Sequence, residues 1–252
     1  MMTLEAIGGT AKGGTLYGIG VGPGDVRYLT LRAAGLIGSV DVIAYFAKAG
    51  REGHARRIVS PLLNGKRPEE KLEYPVTDEF AVADARYHEP ISAFYRDAAD
   101  RLTSHLAAGR SVGLLAEGDP FFFGSFMHMW HRLEGRFPVE VVPGVTGMSG
   151  CWTRANTPIT WGDDTLTVLA GTLDEATLTR RLSDTEAAVI MKVGRNLAKV
   201  RRAIDAAGCL DRAIYIERGT MEGERIVPLA EITDEAGPYF AIILVPGNGR
   251  RI

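Results

Sequence analysis

An apolar run that stops abruptly at a glycine-aspartate-proline turn, residues 114–124 (LLAEGDPFFFG), constrains the fold of this chain most. The apolar part predicts a buried strand. Pro120 cannot donate a hydrogen bond to a sheet, and Gly118 lets another molecule approach the main chain closely, so the strand should end here. Ligands of open α/β folds bind at such carboxyl ends of strands. Taken by itself, the segment is more simply an ordinary turn between a strand and a helix.

Four further glycine turns also follow apolar segments, and together they make a ligand-binding role for the first turn more plausible than its residues alone do. They are GVGPGD (20–25), VPGVTG (142–147), LAGT (169–172) and ERGT (217–220). Main-chain groups from several strand ends would converge on one cleft, an arrangement that suits a nucleoside-like ligand. The sequence shows no nucleophile with a base, no metal cluster and no Walker lysine loop. A reactive cofactor is therefore expected to supply the chemistry.

The composition narrows the class of protein. A chain of 252 residues with 46% hydrophobic residues is long enough for one large domain or two α/β lobes. Its net charge of -2 gives no general reason to bind nucleic acid. No apolar run approaches the roughly 20 residues of a membrane helix, and the start lacks the order of a signal peptide. Cys151 and Cys209 form no CxxC pair, which indicates a reducing compartment without structural zinc, so we expect a cytoplasmic protein.

The N-terminal part predicts a flexible tail over residues 1–13 and then a βαβ unit. Residues 15–25 predict a strand that runs into a glycine turn, residues 26–37 a helix, and residues 41–46 a second strand. The apolar residues of the helical part are not spaced cleanly for a helix. A first lobe is expected over residues 14–142.

The same glycine turn could belong to a dinucleotide-binding fingerprint, GxGxxG, with Asp41 as the acid that binds the ribose. That motif needs a third glycine for close packing of the helix. Pro23 and Asp25 occupy its place in the two possible frames. The sequence therefore disfavours a nicotinamide cofactor.

Helices and strands alternate through the rest of the chain, with a second lobe over residues 143–252. The predicted helices lie at 89–108, around 125–133, near 174–182 and at 196–207. The predicted strands of the second lobe are TLTVLAG, AAVIMKVG, RAIYIERG and PYFAIILVPG, with ERIVPLAEI as an added strand.

Residues 48–71 are basic and irregular, which usually indicates a solvated loop. If the substrate carries several carboxylates, Arg51, Arg56 and Arg57 are candidates to bind them. His128 and His131 stand one helical turn apart, but no carboxylate or HExxH partner accompanies them. We interpret the two histidines as a surface or hydrogen-bonded pair, so no metal ligand is assigned.

Several separated motifs, in the same order, resemble those of the tetrapyrrole methylases, an S-adenosylmethionine-dependent family that methylates the corrin ring and forms sirohaem. GVGPGDVRYLTLRAAGLIGSVDVIAY is similar to the first family signature, and EGDPFFFGSF followed by FPVEVVPGVTG is similar to the second. The resemblance extends over residues 14–247. The segments LTVLAGTLDEATL, AAVIMKVGRNLAKVR and PYFAIILVPG are most similar to family members that act on C20 of precorrin-2.

The resemblance implies an α/β fold of two lobes with S-adenosylmethionine in a cleft between them, and usually a homodimer. It also implies methyl transfer to C20 of precorrin-2, giving precorrin-3A on the way to cobalamin. The positions that match cofactor-contacting motifs are Pro23, Glu117, Gly118, Asp119, Phe122, Val145, Thr146, Gly147, Ala170, Gly171, Thr172, Met191, Lys192, Gly219, Tyr239 and Phe240.

Proton removal is the step for which the sequence offers candidate side chains. The reduced ring is electron-rich, so the protein contributes mainly the positioning of donor and acceptor. A proton must then leave C20, and Tyr45, Glu117 or water are the candidate acceptors. Tyr45 has the alternative role of a packed strand residue, and Glu117 that of an acid that orders main-chain amides.

The chain departs from the family pattern in two places. Gly147 stands where serine or alanine is common, and Cys151-Trp152 replaces a run of small residues, which alters one side of the pocket. Phe46 stands where the sirohaem-forming relatives carry an acid after the strand tyrosine, so no base is assigned there.

Several other functions remain open at this level. A sister corrin methylase, or one that takes the cobalt form of the same ring, would have nearly the same sequence. A methylase of ribosomal RNA or of a protein histidine is more distant, and the charge balance disfavours the RNA substrate. A nicotinamide oxidoreductase and a non-catalytic tetrapyrrole-binding protein belong to other classes, and turnover would distinguish both from a methylase.

Overall fold

The computed structural model describes residues 8–75 and 85–248. The chain divides after Thr146 into two compact units. The sequence placed this boundary after Val142. The difference arises because the next turn belongs to the first unit, where the Gly144 N–H donates to Asp119 Oδ2 at 3.1 Å.

The first unit contains a parallel five-stranded sheet. The strand order is β3-β2-β4-β1-β5, and every pairing in it is parallel. Parallel strands place their carboxyl ends at one edge, so the turns after β1, β4 and β5 lie next to one another. The strands are β1 (Leu16–Gly20), β2 (Val42–Lys48), β3 (Glu69–Tyr74), β4 (Val112–Ala116) and β5 (Val139–Val142).

The helices of the first unit cover the sheet from both sides. They are α1 (Leu31–Ser39), α2 (His54–Val59), α3 (Ala85–Ala107) and α4 (Phe126–Leu133). Residues along each strand alternate between two buried clusters: Leu16 and Leu114 pack in one cluster, Tyr17 and Leu115 in the other. This is the pattern of a sheet that is buried on both faces.

The predicted helix over residues 26–37 is two helices. A short 3₁₀ turn, Val26–Tyr28, precedes α1, and the side chain of Asp25 caps it by accepting from Arg27 N. Thr30 caps α1 by accepting from Ala33 N at 3.1 Å. The two caps explain why the apolar spacing did not follow one helix, because a cap residue interrupts the helical angles.

The basic region after Lys48 was wrongly predicted to be irregular throughout. It contains α2 and the edge strand β3, which pairs in parallel with β2. Leu72 is the one buried residue of β3, so the strand has almost no apolar alternation to detect.

The predicted flexible tail is only partly described. Residues 1–7 lie outside the described residues. Residues 8–13, in contrast, are bonded to the first unit: Ala11 N donates to Ser39 Oγ at 3.0 Å, and Lys12 N donates to the Tyr17 hydroxyl at 2.7 Å. Main-chain groups of the predicted tail are thus hydrogen-bonded to the first unit at residues 11 and 12.

The second unit contains a mixed sheet of order β6-β7-β10-β8-β9. β6 and β7 are parallel, whereas β10 lies antiparallel between β7 and β8, and β9 is antiparallel to β8. The predicted α/β class, the four apolar strands and the added strand are confirmed. The strands are β6 (Leu166–Ala170), β7 (Ala187–Met191), β8 (Ile214–Glu217), β9 (Arg225–Pro228) and β10 (Ala241–Val245), and the helices are α5 (Gly147–Arg154), α6 (Glu175–Ser183) and α7 (Leu197–Ala206).

The second sheet also buries both faces. Leu169, Ile190 and Tyr215 pack in a cluster with residues of α6 and α7, while Val189 packs on the other face with Cys151 of α5. Within the described ranges, no helix is both long and apolar enough to span a bilayer.

Candidate functional site

Three strand ends of the first unit meet without an intervening side chain. A Cβ on Gly20 would lie 2.5 Å from Gly144 N and 2.8 Å from the Gly118 carbonyl oxygen. A Cβ on Gly144 would overlap that same oxygen. The contact therefore requires glycine at Gly20 and Gly144, and it packs the main chains of the three strand ends directly against one another. We call these three residues the glycine seat.

The main chain is also hydrogen-bonded across this seat. Gly118 N donates to the Gly22 carbonyl at 2.8 Å, and Gly22 N donates to the Gly118 carbonyl at 3.3 Å. Both glycines have positive φ, 76° for Gly22 and 64° for Gly118. Other residues rarely adopt this conformation, so the sequence GxGPG and the GDP turn are needed together.

Asp119 ties two of these turns together through its carboxylate. Oδ2 accepts from Gly144 N at 3.1 Å, and Oδ1 accepts from Phe121 N at 2.9 Å. Both oxygens thus hold main-chain N–H groups. Asp119 was predicted as a cofactor residue, and the structure places it where it fixes the shape of the seat.

The other predicted cofactor residues of the first unit lie on the same turns. Pro23 is buried between Gly22 and Gly24. Phe122 is half-buried, and its ring packs edge-on against Phe123 at 4.9 Å between centroids. Val145 and Thr146 are half-buried and directly follow Gly144.

Glu117, at this edge of the sheet, combines an exposed position with a hydrogen bond from a distant main-chain amide and a raised pKa. It is accessible to solvent, yet its Oε1 accepts from Ala55 N, at the start of α2, at 3.1 Å. Desolvation by the surrounding protein raises the pKa of the Glu117 carboxyl, and main-chain hydrogen bonds, including that from Ala55, offset the shift only in part. Sequence reasoning missed the contact because the partners are 62 residues apart, and nothing local to Ala55 signals it.

Tyr45, the other predicted proton acceptor, is a buried residue of β2 with 7% of its surface exposed. Its ring packs under Gly53, whose Cβ would lie 2.7 Å from Tyr45 Cδ2. Burial raises the pKa of the Tyr45 phenol, and the nearby Glu69 carboxylate raises it further. The phenol therefore stays protonated at neutral pH and is a poor base.

Phe46 points into an aromatic cluster and offers no base, in agreement with its sequence. Its ring lies 5.5 Å from that of Tyr74, 6.1 Å from Phe94 and 6.3 Å from Tyr95 between centroids.

The three arginines considered for substrate carboxylates differ in their partners. Arg56 pairs with Glu52 at 2.7 Å and with Glu69 at 3.0 Å. Arg57 lies 3.7 Å from Glu52 and is mostly exposed, and Arg51 is exposed. Arg56 is therefore held within the first unit, whereas Arg51 and Arg57 retain exposed guanidinium groups.

Predicted cofactor residues of the second unit lie at the ends of β6 and β7. Gly171 N donates to the Met191 carbonyl at 2.6 Å, and a Cβ on Gly171 would lie 3.0 Å from the Lys192 carbonyl. Lys192 has a positive φ of 56°. Because β6 and β7 are parallel, Ala170 and Met191 end side by side, with Thr172 exposed just beyond.

The remaining predicted residues lie at the end of β8 and the start of β10. Arg218 N donates to the Phe240 carbonyl at 2.8 Å, which brings Gly219 to the same side as Phe240. Tyr239 is 84% exposed and packs edge-on against Phe240. Gly147 stands apart from this group, as the first residue of α5.

The histidine pair of α4 has ordinary contacts. His128 stacks on the Tyr95 ring at 4.2 Å between centroids, and His131 lies 3.8 Å from Glu134. Among residues 8–75 and 85–248, no three histidine, cysteine or acidic side chains group as metal ligands would.

Comparison with known proteins agrees with the motifs. Residues 15–233 match the family model described as Tetrapyrrole (Corrin/Porphyrin) Methylases. A Sinorhizobium sp protein named Precorrin-2 C(20)-methyltransferase is 55% identical over 93% of this chain and 96% of its own length. A Salmonella typhimurium protein named Cobalt-precorrin-2 C(20)-methyltransferase is 31% identical over 92% and 96%. A Mycobacterium bovis protein named Cobalamin biosynthesis protein CobIJ is 45% identical over 94% of this chain, which spans only 47% of that longer protein.

A solved structure shares the fold. The uroporphyrin-III C-methyl transferase of Thermus thermophilus, complexed with S-adenosyl homocysteine, superposes with a TM-score of 0.64 at 22% identity, over 92% of each chain. This likeness confirms the α/β fold that the sequence predicted.

The glycine seat gives a first prediction. Gly144→Ala forces a Cβ into the Gly118 carbonyl, so the free energy of unfolding should fall by about 1–3 kcal/mol, as for other overpacked sites. Urea denaturation measures the change. Gly38→Ala is the control, because no atom lies within 4 Å of its Cβ position. Equal stability of the two variants would contradict the close packing of the seat.

Glu117 gives a prediction of pH dependence. Its folded pKa is raised, so its contribution to stability is full below the unfolded pKa and is lost as the pH rises through the folded pKa. Glu117→Gln keeps an oxygen for Ala55 N but does not ionise. The variant should therefore gain stability relative to the wild type as the pH rises from the unfolded pKa of about 4.3 through the raised folded pKa. Urea denaturation across this range tests it, and a pH-independent difference would contradict the raised pKa.

Proposed function

The chain belongs to the tetrapyrrole (corrin/porphyrin) methylases, and we propose that it transfers a methyl group from S-adenosylmethionine to C20 of precorrin-2, giving precorrin-3A for cobalamin biosynthesis. The observation that supports this most strongly is the 55% identity to the protein named Precorrin-2 C(20)-methyltransferase over nearly the whole of both chains. Such identity far exceeds the 22% shared with the uroporphyrin-III enzyme of the same fold.

The glycine seat fixes the turns that we propose as the cofactor site. The absence of a Cβ at Gly20 and Gly144 lets these turns pack main chain against main chain, and we propose that the nucleoside cofactor binds on the outer side of the turns. We propose that Pro23 and residues 117–119 with Phe122 hold the cofactor in the first unit, with Val145 and Thr146 beside them. In the second unit we propose the turns at Ala170–Thr172, Met191–Lys192, Gly219 and Tyr239–Phe240, and Gly147 as a neighbour of Thr146.

S-adenosylmethionine supplies an electrophilic methyl group, and the chain supplies position. Asp119 holds the two turns of the seat through Gly144 N and Phe121 N, so the ligand meets a preformed surface. Positioning of this kind removes up to about 7–11 kcal/mol of a bimolecular barrier in well-oriented systems.

We assign the proton acceptor for C20 to Glu117. Glu117 is an exposed residue beside the glycine seat, and desolvation of its carboxyl raises the pKa toward neutral pH, where a general base works best. Tyr45 is the weaker candidate, because burial raises the pKa of a phenol that is already protonated. The Ala55 N–H holds one Glu117 oxygen, and we propose that the other accepts the proton.

The carboxylates of the ring need cations. We propose Arg51 and Arg57, whose guanidinium groups are exposed, as the residues that bind them. Arg56, the third arginine considered, instead holds α2 against β3 through its ion pairs with Glu52 and Glu69.

The cobalt form of the ring is the second candidate substrate. A relative named for that substrate is 31% identical over 92% of this chain, against 55% for the relative named for the metal-free ring. The difference favours precorrin-2. The metal would sit in the ring and needs no ligand from the protein.

We propose that the protein acts in the cytoplasm as a homodimer. Three large apolar side chains between residues 121 and 127 are exposed: Phe121 by 46%, Phe123 by 43% and Met127 by 37%. Exposed apolar groups so close together commonly mark an interaction surface. The two buried cysteines are free, which suits a reducing compartment.

Turnover tests the proposed function directly. Anaerobic incubation with precorrin-2 and ¹³C-methyl S-adenosylmethionine should add one methyl group by mass, and NMR should place the label on C20. A parallel reaction with cobalt-precorrin-2 should be slower. Label on another carbon, or no transfer to either ring, would contradict the proposed reaction.

Removal of the proposed base separates binding from chemistry. Glu117→Gln should lower kcat by about 100-fold or more, because general-base catalysis commonly contributes that much. The Kd for S-adenosylhomocysteine should stay nearly unchanged, since Glu117 meets the cofactor through its main chain. Glu134→Gln, an exposed acid of the first unit, is the control. A full kcat in Glu117→Gln would assign proton removal to water or to another residue.

The dimer has its own test. Light scattering should give the mass of two chains for the wild type and of one chain for Met127→Glu, which puts a charge into the exposed apolar group. Ser104→Glu, at an exposed polar position of α3, should remain dimeric. A dimer that survives Met127→Glu would place the interface elsewhere.

A further inference from the structure

The loop after β8 has a strained main chain. Arg218 and Thr220 both have positive φ, 50° and 69°, which non-glycine residues rarely adopt. Such strain persists only where the surrounding structure imposes it, and it is concentrated at functional sites. The hydroxyl Oγ1 of Thr220 is buried and has no hydrogen-bond partner within the described residues. The loop of residues 218–220 is therefore held in place by something other than its own preferences.

Helix α5 holds this loop at one end of the strained segment. Arg154 pairs with Glu224 through Nε and Nη2 at 2.9 and 2.7 Å. Glu224 Oε2 in turn accepts from Thr220 N at 2.7 Å. A charged side chain of α5 thus fixes the main chain at Thr220 through one intermediary carboxylate.

Cys151 of the same helix fixes the loop at its centre. A Cβ on Gly219 would lie 2.6 Å from Cys151 Sγ and 3.6 Å from Cys151 Cα. Gly219 has no positive φ, so its main chain would accept alanine. Packing, and not the backbone angles, therefore disfavours a side chain at Gly219: the thiol is the nearest obstacle, and Ile216 Cγ2 at 3.3 Å adds to it.

The thiol acts here as a packing group. Cys151 is 4% exposed, and burial raises the pKa of its thiol to about 12. It is therefore neutral and unreactive at ordinary pH. Its volume, rather than its chemistry, determines how closely the loop approaches α5.

We propose that Cys151 and Gly219 are a size-matched pair, and that Cys151 is a positioning residue that sets where the main chain at Gly219 meets S-adenosylmethionine. This rests on the proposed function, which places Gly219 among the cofactor contacts. Cys151 stands where the family carries small residues, so in this chain the thiol adds volume directly opposite Gly219.

A double-mutant cycle tests the pair. Gly219→Ala pushes the loop away from α5, so the Kd for S-adenosylhomocysteine should rise about tenfold or more, with the Tm lower by about 4 °C. Cys151→Ala alone removes the contact that positions the loop, so the Kd should also rise, but by a smaller factor of about threefold. Cys151→Ala added to Gly219→Ala should restore most of the affinity and of the Tm, because the added methyl then has room.

The control replaces the other buried cysteine. Cys209→Ala also removes a buried thiol from the second unit, but it lies in the cluster on the opposite face of the sheet and should restore neither quantity in Gly219→Ala. In turnover, Gly219→Ala should raise KM for S-adenosylmethionine and leave kcat nearly unchanged. A purely structural role would lower the Tm without this split.

Each failure has a distinct meaning. A double variant no better than Gly219→Ala, or equal rescue by Cys209→Ala, would overturn the pairing in a protein that binds the cofactor. Rescue of the Tm without rescue of the Kd would overturn the positioning role. A wild-type protein without affinity for S-adenosylhomocysteine would contradict the proposed function itself.

Discussion

The approach of three main-chain segments at Gly20, Gly118 and Gly144 is the contact on which the first unit depends. No side chain separates the ends of β1, β4 and β5 there, and the carboxylate of Asp119 holds the last two turns together. A Cβ at Gly20 or Gly144 would push the turns apart. The parallel order of the strands brings these ends to one edge, and the glycines let the three turns pack against one another there.

In the second unit, the strand ends are held in place by a different kind of contact. Its strand ends at Gly171 and Gly219 also lack side chains, but the loop after β8 is strained and needs support from outside the sheet. Helix α5 supplies that support through Cys151 and through Arg154 with Glu224. In the first unit, main-chain contacts between turns hold the strand ends. In the second unit, side chains of α5 hold the loop after β8. Both leave main-chain groups available for a ligand.

Sequence patterns predicted the apolar strands and the glycine turns because both depend on local residue types. β4 was found from its apolar run, and the turn at Gly118 from glycine and proline chemistry. β3 was missed because an edge strand with Leu72 as its one buried residue carries no alternating pattern. The Glu117 to Ala55 hydrogen bond and the fit of Cys151 against Gly219 join positions about 60 to 70 residues apart, so only folding reveals them. The Arg56 to Glu69 ion pair was missed because it joins α2 to β3, the strand that the sequence pattern did not reveal.

A crystal structure of the chain with S-adenosylhomocysteine would show whether a nucleoside cofactor lies against the turns of the glycine seat. We expect density for the cofactor beside Pro23 and residues 117–119, with hydrogen bonds made mainly by main-chain N–H and C=O groups. A cofactor bound away from these turns, or held there chiefly by side chains, would contradict the proposed site.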